Sequence, residues 1–301
     1  MHLVREGGKI LFCLLMLVFA GCPVKKEVKK VAPPVSTGAL AAQNWQFAAS
    51  EGVKTIWKSA GNTLELVSGS HAVIFNGVPV FLPDPVTVTA GNRWDIPERS
   101  AAALLKPLLE KRTLSIRTIV IDPGHGGHDS GALSIHGEKE KNLNLRLAQS
   151  VAAELKKAGF KVIMTRESDK FVTLDRRPQI AAEVKADLFI SIHHNSSANP
   201  KSAGLEIFVL EPRNGDEEKA AASSVFTAFM LQKELAFLNG VPGRGVKCAR
   251  FKVLRLSRTP ALLIEAGFLN NPVESAYLPT AYYRKKFAVQ LAETLASANG
   301  S

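Results

Sequence analysis

From Arg117 onward the chain alternates short apolar runs with longer amphipathic ones, and this alternation constrains the fold more than any other feature. Residues 118–122, 161–165, 188–193, 205–210 and 261–265 are apolar runs of strand length. Between and after them, residues 142–158, 174–185, 220–238 and 280–298 carry apolar positions at helical spacing. Strands that alternate with helices predict an α/β fold, a mostly parallel central sheet with helices on both faces. That domain is expected to span residues 115–301.

Residues 44–112 have a different texture and are expected to form a small, mainly-β (α+β) domain ahead of it. Short strand candidates at 64–67, 72–75, 78–82 and 86–88 are broken by Gly, Asn, Asp and Pro. Asn76-Gly77 is a hairpin turn signal. Residues 100–111 read as a helix with Ser100 at its N-cap.

The first residues read as an address. Arg5 and Lys9 precede an apolar run, residues 10–20, too short to span a bilayer comfortably and laid out as an export signal. The run ends in Phe19-Ala20-Gly21-Cys22, which resembles the lipobox of bacterial lipoproteins. This predicts a signal over 1–21, a lipidated Cys22 and a Lys-, Val- and Pro-rich tether over 22–43. Of the three cysteines, Cys13 would leave with the signal and Cys22 would be acylated, so Cys248 has no partner for a disulfide. The expected location is the cell envelope, facing the periplasm or the outside.

The formal charge is +11, and removing the net +1 of Arg5, Glu6 and Lys9 leaves +10. Outside the cytoplasm such a charge points to membrane surface and to cell-wall carboxylates. The basic residues are not interleaved with aromatics as in a nucleic-acid module, so no nucleic acid is expected, and a monomer is.

In open α/β sheets, sites gather beyond the carboxyl ends of strands. Three strands end in chemistry-bearing residues: Pro123-Gly124-His125-Gly126-Gly127, His193-His194-Asn195, and Glu265-Ala266-Gly267-Phe268. A fourth group, Glu138-Lys139-Glu140-Lys141, opens the helix after the first loop. Two histidines and a carboxylate make the ligand set of a catalytic zinc, and a further carboxylate can move the water's proton. Taken singly, each piece has a plain structural reading as a tight turn or a solvated cap. His193 and His194, as strand neighbours, point to opposite faces and cannot both bind one metal.

Together these residues give a specific resemblance. IVIDPGHGGHDSGA (119–132), EKNLNL (140–145), TRESDKFVTLDRR (165–177), ADLFISIHHN (186–195), GLEIFVL (204–210), RGVK (244–247) and LLIEAGFLNNPVE (262–274) resemble the zinc-dependent N-acetylmuramoyl-L-alanine amidases of the amidase-3 type. The resemblance implies zinc on His125, Glu140 and His193, with Glu265 as catalytic base. It also implies Asn195 and Arg244 as substrate contacts, and peptidoglycan as substrate. Glu138 competes with Glu140, but the spacing to Asn142-Leu143-Asn144-Leu145 favours Glu140. His128 and His136 are expected in solvent. The stretch from Val67 to residue 109 is similar to the small stalk domain named after the N-terminus of copper amine oxidases, without a copper ligand cluster. Rival readings are a zinc endopeptidase or carboxypeptidase of wall peptides, and a non-catalytic peptidoglycan-binding lipoprotein.

Overall fold

The computed structural model describes residues 45–89, 93–110, 114–238 and 240–300. The expected signal, Cys22 and the tether lie outside them. Strands β1 (Gln46–Glu51), β2 (Lys54–Ser59), β3 (Asn62–Val67), β4 (Ala72–Phe75) and β5 (Val78–Phe81) form an antiparallel meander. The hairpin β6 (Thr87–Thr89) and β7 (Arg93–Asp95) follows. A helical run then passes through α1 (Glu98–Ser100), a π-turn (Ala101–Leu105) and α2 (Lys106–Leu109).

The second half begins with β8 (Thr118–Pro123), α3 (Glu140–Lys157), β9 (Lys161–Met164), α4 (Arg176–Glu183) and β10 (Leu188–Asn195). It continues through β11 (Glu206–Leu210), α5 (Gly215–Leu235), β12 (Val246–Ala249), α6 (Lys252–Arg255), β13 (Ala261–Phe268), α7 (Pro272–Tyr277) and α8 (Ala281–Gly300).

Pairings β9–β8, β8–β10, β10–β13 and β11–β12 are parallel; β11 with β13 is antiparallel. Alternation along the strands explains the two covered faces. Ile119, Ile121, Ile190, Ile192, Leu262 and Ile264 join the core under α3, α5 and α8. Their strand neighbours Val120, Phe189 and Leu263 face the other way, against Ala181 of α4 and Val253 and Leu254 of α6. Such side chains contribute about 1.5–3 kcal/mol each when fully buried.

The meander is not set apart from this sheet. β5 pairs in parallel with β12 at Val80 and Val246, giving one eleven-stranded order, β1-β2-β3-β4-β5-β12-β11-β13-β10-β8-β9. Leu64, Leu66, Val73, Phe75 and Val80 enter the same core as α5, with the Phe75 and Phe229 rings 5.4 Å apart.

Several boundaries differ from those expected. The Asn76-Gly77 turn forms, both residues in the left-handed region. β1, β2, β7 and β12 were not anticipated, because their apolar positions are too few for a sequence signal. Ser100 does not cap a helix: it is helical itself, and its hydroxyl donates to Asp84 at 3.1 Å. The helix expected from residue 142 begins at Glu140.

Candidate functional site

Everything at the site depends on how the turn after β8 is held. His125 adopts φ +61°, a left-handed conformation that costs a non-glycine residue roughly 1–3 kcal/mol. Two buried arginines hold it there. Arg166 donates to the carbonyls of Pro123 (2.9 Å) and Gly124 (2.8 Å), and Arg177 to those of Pro123 (2.8 Å) and His125 (2.9 Å). Arg177 is itself paired with Asp122 at 2.8 Å, and that carboxylate also accepts from Thr165 and Ser191. Four charged or polar groups out of solvent are thereby satisfied by one another, as burial requires.

Glu140 starts α3 and reaches back over this turn. Its Oε1 lies 3.1 Å from His125 Nε2 and 2.9 Å from His193 Nδ1, at the end of β10. Its Oε2 accepts from the Ala132 amide at 2.9 Å. The donor atoms of His125, Glu140 and His193 all lie within 4.8 Å of one another. Ligands of a tetrahedral zinc sit about 2.0–2.2 Å from the ion, so two imidazole nitrogens and a carboxylate this close fit such an ion in both chemistry and spacing. Asp129 accepts from His125 Nδ1 at 2.9 Å, leaving Nε2 to face the cluster. Burial opposes the charged form of His125, but the hydrogen bonds to Glu140 and Asp129 outweigh it and raise its pKa. Burial likewise disfavours the Glu140 carboxylate, and the two histidines overcome that, holding its carboxyl far below the ordinary range.

The close approach is specific to glycine at two points. A Cβ at Gly124 would stand 2.2 Å from His193 Cε1, and one at Gly131 would stand 2.5 Å from Glu140 Oε2.

Glu265 is paired with His193 across β10 and β13. Its Oε2 is sealed from solvent and has no hydrogen-bond partner among the described residues. Burial pushes its carboxyl up to about 7; His193 and His125 oppose the rise, while Glu140 and Glu206 add to it. A buried carboxylate left unpartnered costs stability, which marks a group kept for chemistry.

The other expected residues divide. His194 points to the opposite face, buried against Asn144 at 2.7 Å, as strand alternation requires. Glu138 pairs with Arg146 and does not join the cluster. His128 and His136 are exposed, His128 against the Phe171 ring. Asn195 and Arg244 both bond Glu206 of β11, Asn195 at 3.1 Å. Glu206 was missed, although it is a carboxylate inside an apolar strand, the signal that singled out Glu265. Lys141 was also missed; its ammonium ties Gly127 O (2.7 Å) to Asp169 (2.6 Å).

A covered, mixed sheet with such a donor set at the carboxyl ends of its parallel strands defines an α/β hydrolytic enzyme. The chain belongs to the N-acetylmuramoyl-L-alanine amidase family, whose model matches residues 119–297. It is 32% identical over 224 residues to the N-acetylmuramoyl-L-alanine amidase AmiA of Escherichia coli K12, across 62% of this chain and 78% of that one. It is 38% identical over 198 residues to LytC of Bacillus subtilis, across 66% of this chain but only 37% of LytC. Among solved structures, the amidase AmiC2 of Nostoc punctiforme superposes with a TM-score of 0.52 at 35% identity, covering 61% of this chain and 94% of that one.

Proposed function

We propose that the protein is a zinc-dependent peptidoglycan hydrolase that cuts the amide between N-acetylmuramic acid and L-alanine, in wall remodelling or daughter-cell separation. The observation that carries this reading is the meeting of His125, Glu140 and His193 beside the unpartnered Oε2 of Glu265. A zinc ion held by those three side chains would lower the pKa of water to about 7 and polarise the scissile carbonyl.

The chain's own groups do the rest. Glu265 takes the water's proton as its oxygen bonds to the lactyl carbon, then gives that proton to the alanine nitrogen as the C–N bond breaks. Asp129 orients His125. Asn195 and Arg244, gathered on Glu206, are assigned contacts to the substrate.

The wider reading is of an exported monomer anchored through Cys22. Signal, tether, stalk-like module and catalytic domain would occupy 1–21, 22–43, 44–112 and 115–301. Among the described residues, no helix is long and apolar enough to cross a membrane. The test is digestion of purified peptidoglycan with zinc or with chelator, with products read by mass spectrometry. Zinc-dependent release of stem peptides with free L-alanine termini supports the amidase. Cuts within the peptides would point instead to an endopeptidase, and binding without cleavage to a wall-binding lipoprotein.

A further inference from the structure

Asn144 lies one turn after Glu140 on α3, so both side chains leave the same face of the helix. It is fully buried, and its amide is used to capacity. Nδ2 donates to Glu140 Oε1 at 3.1 Å and to the Gly124 carbonyl at 3.3 Å, while Oδ1 lies 2.7 Å from His194 Nδ1. Oε1 is the carboxylate oxygen that faces both histidines of the donor set. It accepts one further bond, from the His194 backbone amide at 3.3 Å. His125 and His193 would give up their bonds to Oε1 in holding an ion. The bonds from Asn144 and from the His194 amide come from groups outside the donor set and would stay.

Hydrogen-bond chemistry fixes which way the Asn144 amide points. Turned over, its Oδ1 would face Glu140 Oε1 and the Gly124 carbonyl, two oxygens with no proton to give. Nδ2 therefore faces them and Oδ1 faces His194. An amide oxygen only accepts, so His194 Nδ1 carries the proton. His194 Nε2 is sealed from solvent and has no hydrogen-bond partner among the described residues, so the ring is held there through Nδ1 alone.

We propose that Asn144, locked by His194, is a positioning residue that presets the Glu140 carboxylate and the turn at Gly124 for zinc. This rests on the metal reading above. One amide ties together the three segments that carry the proposed ligands: Gly124 precedes His125 after β8, Glu140 opens α3, and His194 follows His193 in β10. Buried groups of this kind orient a ligating carboxylate before the ion arrives.

The experiment measures zinc affinity of the full chain by competition with a chromogenic chelator, for the unaltered protein, Asn144→Leu, His194→Leu and the double variant, each checked for folding by circular dichroism. Asn144→Leu is expected to weaken zinc binding about 10–100-fold. His194→Leu is expected to weaken it less, and to add nothing in the Asn144→Leu background, because its side chain acts only through that amide. A second measurement needs no variant: the ¹⁵N shifts of the His194 ring in the unaltered protein are expected to place the proton on Nδ1. Unchanged zinc affinity in folded Asn144→Leu would overturn the role and leave the zinc site standing. So would a His194→Leu effect equally large in both backgrounds, or a ring protonated on Nε2 alone. No zinc bound by the unaltered protein would overturn the metal reading and the role with it.

Discussion

Glu206 and Glu265 lie directly opposite each other where β11 runs antiparallel to β13, yet their surroundings differ completely. Glu206 gathers Arg244, Lys247 and Asn195, while Oε2 of Glu265 has no hydrogen-bond partner among the described residues. Two adjacent carboxylates are thus set apart by their neighbours, one as an anchor and one, whose carboxyl burial pushes up to about 7, as the proposed base.

Glu265→Gln removes the proposed proton carrier and keeps the volume. Hydrolysis is expected to fall by about 10²–10⁴, with zinc content and melting temperature unchanged, read by a product assay, metal analysis and calorimetry.

The base must be ionised to work, so activity falls as pH drops through its pKa. A cation at the neighbouring donor set favours the carboxylate, so the acid limb of kcat/KM is expected no higher than pH 7. A limb well above 7 would count against Glu265 as the base; a pH series of initial rates decides.

Gly124→Ala places a Cβ against the His193 ring, 2.2 Å from Cε1 on the unrelaxed backbone. β8 and β10 are tied together by their ladder, so His193 has to turn. Zinc affinity is expected to drop about 10–100-fold, the scale of losing a ligand's orientation, measured by competition with a chromogenic chelator.

Arg177→Met leaves Asp122 buried without its cation and removes the donor to the His125 carbonyl, while the Pro123 carbonyl keeps its bond from Arg166. A loss of about 3–5 kcal/mol is expected, read by urea unfolding at pH 7.

His194 gives a pH signature of the fold. Complete burial lowers its pKa from the ordinary 6.5 to about 4. A depressed value means protonation favours the unfolded chain, so its contribution is whole above pH 6.5 and is lost as pH falls toward 4. The loss amounts to roughly 3 kcal/mol. His194→Gln should show a shallower decline over the same range in parallel urea titrations.

Much of this was legible in the sequence, for reasons that particular residues show. Apolar runs such as LFISI report burial on both faces of a central strand. Pro123-Gly124-His125 and Glu265 stood out because polar residues at the ends of such runs need a purpose. The strands β1, β2 and β12 were not legible, since half-exposed strands carry mixed residues whose pattern is set by what they pack against. Glu206 was hidden for a related reason: its meaning lies in Arg244 and Lys247, both far along the chain.

By itself the sequence determined the alternation that builds the covered sheet, the glycines that let His125 turn, and the side chains fit to bind a metal or move a proton. Spacing already favoured Glu140 over Glu138, and only the tertiary structure put Glu138 on Arg146. It alone put Glu265 in an unpartnered niche beside the anchored Glu206, and joined the meander to the catalytic sheet through Val80 and Val246. The division has a physical cause: periodicity and turn chemistry act between near neighbours in the chain. Pairing, burial and electrostatic environment depend on residues that meet only when the strands close side by side.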